Sequence, residues 1–260
     1  MKMDRKAVTN YQGLASVRPA LHKLLEATAG QYLVDTQGRP VEAVTTSSSG
    51  GRTEAAQELW GRAVPYLQSV QDYDQDSPDY TWEERLVPAQ VENILEQNGY
   101  QVGKLNSIRL SALEEPALDR TPTGRVRQII FTGEKGSARL TGLQVQQLLG
   151  LPSNLFDVAT GVPRPESLRV PIENYYGMEI GSKDIDINLE EDKTAVWKHV
   201  ANSYHLLSGA KEERITFMGR GRGHGLGLSA WGARGLANAQ PDLGYEEILQ
   251  YYYPRTVLRK

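Results

Sequence analysis

Residues Gly219-Arg-Gly-Arg-Gly-His-Gly-Leu-Gly-Leu-Ser-Ala-Trp-Gly-Ala233 place glycine at 219, 221, 223, 225 and 227, with His224 between two of them. Each glycine adds backbone entropy that folding must remove. Five in alternation are costly as loop filler. They fit a backbone that passes close to something, or that needs positive φ at several points. Histidine, the one side chain with an unperturbed pKa near neutrality, sits at the centre. The run reads as the wall of a site. A nucleotide loop fails on spacing, because G-x-G-x-x-G needs glycine where His224, Leu226, Leu228 and Ala230 stand. There is no G-K-[ST], and no G-x-S-x-G elbow surrounds Ser229 or the upstream serines. The structural alternative is a helix packed tightly on a sheet around a core histidine.

Outward from the run, Arg214–Met218 is predicted to be a strand entering the glycines. Ser229 is the predicted N-cap of a helix reaching about Ala239, and Tyr245–Tyr252 forms a last helix stopped by Pro254. Upstream, Leu21, Leu24 and Leu25 have helical spacing within residues 17–28. Tyr32–Asp35 and Val41–Thr46 read as a hairpin, and a helix is expected near Thr53–Trp60. Pro88 opens a helix that stops at Gly99. Strands follow at Leu105–Leu113, Val126–Thr132 and Ser137–Leu140, then a helix over 141–149 with Thr141 as its cap. Prolines at 152, 163, 165 and 171 and an acidic stretch over 183–193 mark an irregular, exposed insertion. Strands and helices mix without strict alternation, which predicts an α+β fold with a mixed sheet. The expected organisation is a portion over 1–151, an insertion over 152–210 and a C-terminal portion over 211–260.

The totals exclude several functions. With 29 Lys and Arg against 32 Asp and Glu, the net charge of -3 gives no bulk attraction to nucleic acid. Cysteine is absent, which removes disulfides, thiolate metal sites and a cysteine nucleophile. No apolar run is long enough to span a membrane, and Met-Lys-Met-Asp-Arg-Lys has no apolar core behind it, so no signal peptide is visible. His22 falls on a helix flank, and His199 and His205 lie off one helical face, so no metal site is expected. No cofactor is expected either.

Ser47-Ser-Ser-Gly-Gly51 has two readings. It is either a flexible loop, or a ligand-binding turn in which Ser47, Ser48, Ser49, the amides of Gly50 and Gly51, and Arg52 meet a hydroxyl-rich ligand such as a sugar. Trp60, Tyr66 and Trp82 are available as stacking platforms or as core. A hydrolase triad of Ser47–Ser49, His224 and a carboxylate is a further alternative.

Taken together, these blocks resemble the SpoIID/LytB family. Ser47-Ser-Ser-Gly-Gly-Arg-Thr-Glu54, Leu59-Trp-Gly61 and Pro65-Tyr-Leu67 are similar to its "HSSSGGRTE…WG…PYL" block. Gly219–Ala233 is similar to "GxGWGHGVGMSQWGA", and Tyr245-Glu-Glu-Ile-Leu249 with Tyr252-Tyr-Pro254 to "YxEIL…YYP". The resemblance runs from about residue 7 to the end, with residues 152–210 matching poorly.

It implies a glycan-binding cleft and a role on peptidoglycan. Enzymatic members resemble lytic transglycosylases, in which one carboxyl group acts first as acid and then as base. Other members enhance cell-wall amidases, so peptidoglycan strands and an amidase are the implied partners. The implied substrate-binding residues are Ser47, Ser48, Ser49, Gly50, Gly51, Arg52, Gly223, His224, Gly225 and Ser229. The family's catalytic glutamate lies in a "P-x-E" motif upstream of the serines. Glu26 and Glu42 precede Ser47 here and neither follows Pro-x, so the catalytic residue is unknown and the expectation is an inactive chain as given. Thr46 replaces the usual histidine, Arg222 the usual tryptophan and Ala230 the usual glutamine. A natural start further upstream would restore a signal sequence and the glutamate, and with them a cell-envelope location.

Overall fold

The computed structural model describes residues 19–113, 117–162, 167–173, 179–186 and 204–260. In chain order the elements are α1 (Pro19–Thr28), β1 (Tyr32–Val34), β2 (Thr45–Thr46), α2 (Ala56–Trp60), β3 (Thr81–Leu86), α3 (Pro88–Gln97), β4 (Leu105–Arg109), β5 (Ile129–Gly133), β6 (Gly136–Leu140) and α4 (Gly142–Leu149). They continue with β7 (Phe156–Gly161), β8 (Ser167–Glu173), β9 (Glu179–Asp186), β10 (Tyr204–Leu206), β11 (Arg214–Arg220), β12 (Leu228–Ser229), α5 (Ala230–Ala239), α6 (Tyr245–Tyr252) and β13 (Val257–Arg259). Helices and several sheets make the fold α+β; in place of the expected mixed sheet, each described sheet is antiparallel apart from the short parallel pair of β2 and β12. No helix among the described residues is long and apolar enough to cross a membrane.

Two compact units divide the chain: Met1–Ala43 with Arg255–Lys260, and Val44–Pro254. In the first, β1 pairs antiparallel with β13, Leu33 opposite Leu258. Helix α1 forms where the leucine spacing predicts it and leaves Leu21, Leu24 and Leu25 exposed. The turn after β1 also forms, with Asp35 Oδ1 accepting from the amides of Gln37 and Arg39. The expected hairpin closes only next to that turn, where Val34 bridges Pro40, the Asp35 amide donates to the Arg39 carbonyl at 2.9 Å and the Val41 amide to that of Leu33 at 3.0 Å. Strand β1 takes a partner from the C-terminus, and Thr45–Thr46 pairs in parallel with Leu228–Ser229 instead.

In the second unit, β10-β4-β5-β6 form one antiparallel sheet and β3-β11-β7 another. Strands β8 and β9 form a two-stranded ribbon. The core lies between the two larger sheets and helices α3 and α4. Ile108 of β4, Ile129 and Phe131 of β5, Val91 and Leu95 of α3, and Val145 of α4 meet Phe156, Val158, Ile215 and Phe217. Alternate residues of β11 enter this core, as strand geometry requires. The rings of Phe156 and Phe217 meet edge to face, with centroids 5.6 Å apart.

Helix ends follow their sequence signals. Thr141 Oγ1 accepts from the Gln144 amide at 3.2 Å, and Ser229 Oγ from the Gly232 amide at 3.1 Å. Two expectations change. Strand β3, Thr81–Leu86, does not stand out in the sequence because its mostly exposed residues, Thr-Trp-Glu-Glu-Arg-Leu, lack a clean alternation. The stretch opening the expected insertion is core: Phe156, Asp157, Val158 and Ala159 are all buried in β7, beside β11. The prolines at 152 and 163 bracket a strand there rather than mark irregular chain. Tyr204–Leu206, at the insertion's other end, pairs with β4. Much of the intervening stretch, including His199, lies outside the described residues.

Phe217→Ala removes a fully buried ring from the centre of β11 and is expected to cost about 3–5 kcal/mol. Urea unfolding of the variant beside the parent measures this loss.

Candidate functional site

The serine segment and the glycine run are laced together by main-chain bonds. Ser48 and Arg222 exchange a pair: the Ser48 amide donates to Arg222 at 3.1 Å, and the Arg222 amide donates back at 2.8 Å. The Glu54 amide reaches the Gly225 carbonyl at 2.8 Å, and β2 and β12 pair beyond it. On the other flank the Gly223 amide donates to the Pro152 carbonyl at 2.9 Å, and Ser153 Oγ donates to that of Arg220 at 2.7 Å. The run therefore passes between residues 45–54 and residues 152–155.

Such proximity explains the glycines. Gly221 has φ +74, and a Cβ there would lie 2.6 Å from the Ser48 carbonyl oxygen and 2.7 Å from the Gly50 nitrogen. Gly225, with φ +78, rests against the guanidinium of Arg125, where a Cβ would overlap the side chain. Both positions combine a left-handed backbone with contact too close for any other residue.

Below the serines lies a buried polar cluster. Ser48 Oγ donates to Asp74 Oδ2 at 2.5 Å, and the amides of Gly50 and Gly51 donate to the same carboxylate at 2.8 and 2.9 Å. Ser49 Oγ donates to Asp72 Oδ2 at 2.5 Å, while Tyr252 donates to Oδ1 at 2.6 Å. Glu54 accepts from the hydroxyl of Thr123 and from the Ala55 amide. Arg125 enters this ground with no exposure, donating to the Ser49 carbonyl at 2.5 Å and to Asn154 Oδ1 at 2.7 Å. Burial pushes its pKa down to about 10, and Glu54, Asp74 and Asp72 oppose that shift. The guanidinium thus stays charged at neutral pH. Burial and the Asp72 carboxylate together push the Tyr252 phenol up, so it remains a donor.

His224 is half-buried beside this cluster. Its Nδ1 accepts from the Leu226 amide at 3.0 Å. A nitrogen that accepts carries no proton, so the proton sits on Nε2 in the neutral ring. Burial first, and then the charge of Arg125, hold the pKa below its ordinary value of 6.5, against a hydrogen bond to the Thr45 main chain. The imidazole therefore ties its own loop at neutral pH. Among the described residues no serine hydroxyl bonds to it, so the Ser47–Ser49 and His224 triad is not assembled.

The expected site residues separate into two groups. Ser48, Ser49, Gly50, Gly225 and Ser229 are buried, and the three serine hydroxyls bond to Asp74, Asp72 and the Gly232 amide. Ser47, Gly51, Gly223 and His224 are partly accessible and Arg52 is exposed. The guanidinium of Arg52 leans on Ser69 Oγ at 3.0 Å. Asp72, Asp74, Arg125, Asn154 and Tyr252 escaped the sequence reading. Asp72-Tyr-Asp74 did carry a signal, since residues two apart in an extended segment face the same side.

No protein-family model matches the chain. Curated relatives do match it. It is 27% identical over 243 residues to the amidase enhancer of Bacillus subtilis (strain 168), covering 91% of this chain and 32% of that protein. It is 24% identical over 257 residues to stage II sporulation protein D of the same organism, covering 96% of this chain and 55% of the relative. The Bacillus amyloliquefaciens protein of that name is 24% identical over 237 residues, covering 90% of this chain and 50% of the relative. The chain is thus similar, over nine-tenths or more of its length, to proteins of the SpoIID and amidase-enhancer group. It spans from about a third to just over half the length of these relatives.

Arg125→Met leaves Glu54, Asp72 and Asp74 without their buried cation and is expected to cost about 3–5 kcal/mol in urea unfolding. The depressed pKa of His224 means that the unfolded chain binds this proton first as pH falls. Its contribution is present above about pH 6.5 and is lost as pH drops through the lower folded value. Urea midpoints at pH 7.5, 6 and 5 should fall for the parent, and the fall should be shallower in His224→Gln.

Proposed function

We propose that this SpoIID/LytB chain is a cell-envelope protein that binds the glycan strands of peptidoglycan. The supporting observation is that the serine block and the glycine run, which carry the family resemblance separately, form one object around Arg125. Its accessible edge bears Ser47, the Gly51 and Gly223 main chain, and His224. Hydroxyls and backbone donors on a fixed frame suit a polyhydroxylated polymer. In this reading Ser48, Ser49, Gly50, Gly225 and Ser229 support that surface from below, and Arg52 lies at its margin.

We further propose that these 260 residues do not cleave the glycan on their own. Transglycosylase chemistry needs a carboxyl group that can give and then take a proton at the glycosidic bond. No Pro-x-Glu precedes Ser47. Glu54, whose amide donates to the Gly225 carbonyl, is buried and bonded to Thr123. The match to an amidase enhancer over 91% of this chain favours a second role, stimulation of a cell-wall amidase.

The 260-residue chain is expected to pellet with purified sacculi at low salt and to release no anhydro-muropeptides on chromatographic analysis. Added to an amidase with sacculi, it should raise the rate of peptide release. Failure to pellet removes the glycan reading, and abundant anhydro products overturn the non-cleaving one.

A further inference from the structure

We infer that Arg222 is a carboxylate-reading residue of the glycan surface, so that this chain prefers strands carrying free carboxylates to neutral ones. The inference rests on the glycan reading above. It starts from the side chain standing where the resembled motif has tryptophan. Arg222 Nε donates to Asp79 Oδ2 at 2.6 Å, and Nη2 donates to Oδ1 at 2.9 Å. This side-on pair uses two of the five N–H donors of a guanidinium. Of the other three, one on Nη1 and one on Nη2 form the end-on fork that matches a second carboxylate in two parallel bonds. No other partner engages that fork among the described residues, and the Arg222 side chain is 54% exposed.

Both ends of the side chain are fixed. Its carbonyl accepts from the Ser48 amide at 3.1 Å and from Thr46 Oγ1 at 3.0 Å, which ties its base to the serine segment. Asp79 holds its tip. Little rotamer freedom is left to lose when a ligand binds, and Arg rather than Lys suits a planar, two-bond contact. The local charge also favours an anion. Asp79 offsets Arg222, His224 is neutral, and Arg220 is exposed at the end of β11 with no described carboxylate in ion-pair reach. The N-acetylglucosamine units of a glycan strand carry no charge. Carboxylates enter a peptidoglycan strand at the lactyl ether of muramic acid when it is unsubstituted, or at the peptide joined to it.

The test titrates the 260-residue chain, by calorimetry, with three tetrasaccharides. One is neutral chitotetraose. The second is a GlcNAc–MurNAc tetrasaccharide with free lactyl carboxylates. The third has peptide stems, in which the lactyl group is an amide and only peptide carboxylates remain. The parent should bind at least one acidic oligomer about ten-fold more tightly than chitotetraose, the scale of one charge-assisted contact. Which acidic arm gains identifies the source of the carboxylate. Arg222→Gln, with an unchanged melting temperature, should erase that preference by weakening the acidic oligomer about ten-fold more than chitotetraose. Equal affinity for all three oligomers, or equal loss on all three in Arg222→Gln, overturns the inference and leaves the glycan reading standing. Binding to none of them overturns both.

Discussion

One guanidinium organises the second unit. Arg125 has no contact with solvent, and its charge is held by the Ser49 carbonyl and Asn154 against a backbone that only glycine at 225 can supply. A buried cation is tolerated only where neighbouring charge and hydrogen bonds offset its lost hydration. Glu54, Asp72 and Asp74 do so here, and each also fixes main-chain or hydroxyl groups of the segments around it. The serine segment, the glycine run and the 72–74 segment are thereby coupled. Moving one would strand a buried charge on another.

This coupling divides the polar residues by task. The inner hydroxyls of Ser48 and Ser49 are saturated by carboxylates, as buried polar groups require. His224 is held neutral by burial and by the nearby cation, and its ring serves as a brace for residues 224–226. The groups left facing solvent lie at the rim, among them Ser47 and Arg222.

What could be read in advance depended on range. Local chemistry was legible: Thr141 and Ser229 cap their helices, Pro254 follows α6, and the glycine alternation marks a close backbone approach. Long-range pairing was not. Nothing near Tyr32 announces Val257–Arg259 as its partner, and nothing near Thr45 announces Leu228. The proline-rich flanks hid β7, because proline marks boundaries without saying what lies between them. Within the site, the serine motif signalled polar function but not direction. Side-chain heading depends on where Asp72 and Asp74 fall in space, and a linear pattern does not contain that.

The parallel pairing of Thr45–Thr46 with Leu228–Ser229 has a kinetic consequence. Thr46 and Arg222, which share a hydrogen bond, are 176 residues apart in the chain. Bringing such distant segments together costs loop-closure entropy before any contact repays it, and topologies of this kind fold slowly. During synthesis the serine segment emerges early, with its carboxylates and Arg125, and waits for the glycines. Until they arrive the cluster lacks its cover. The laced segments are therefore completed only after residues 219–229 have followed residues 45–54 out of the ribosome.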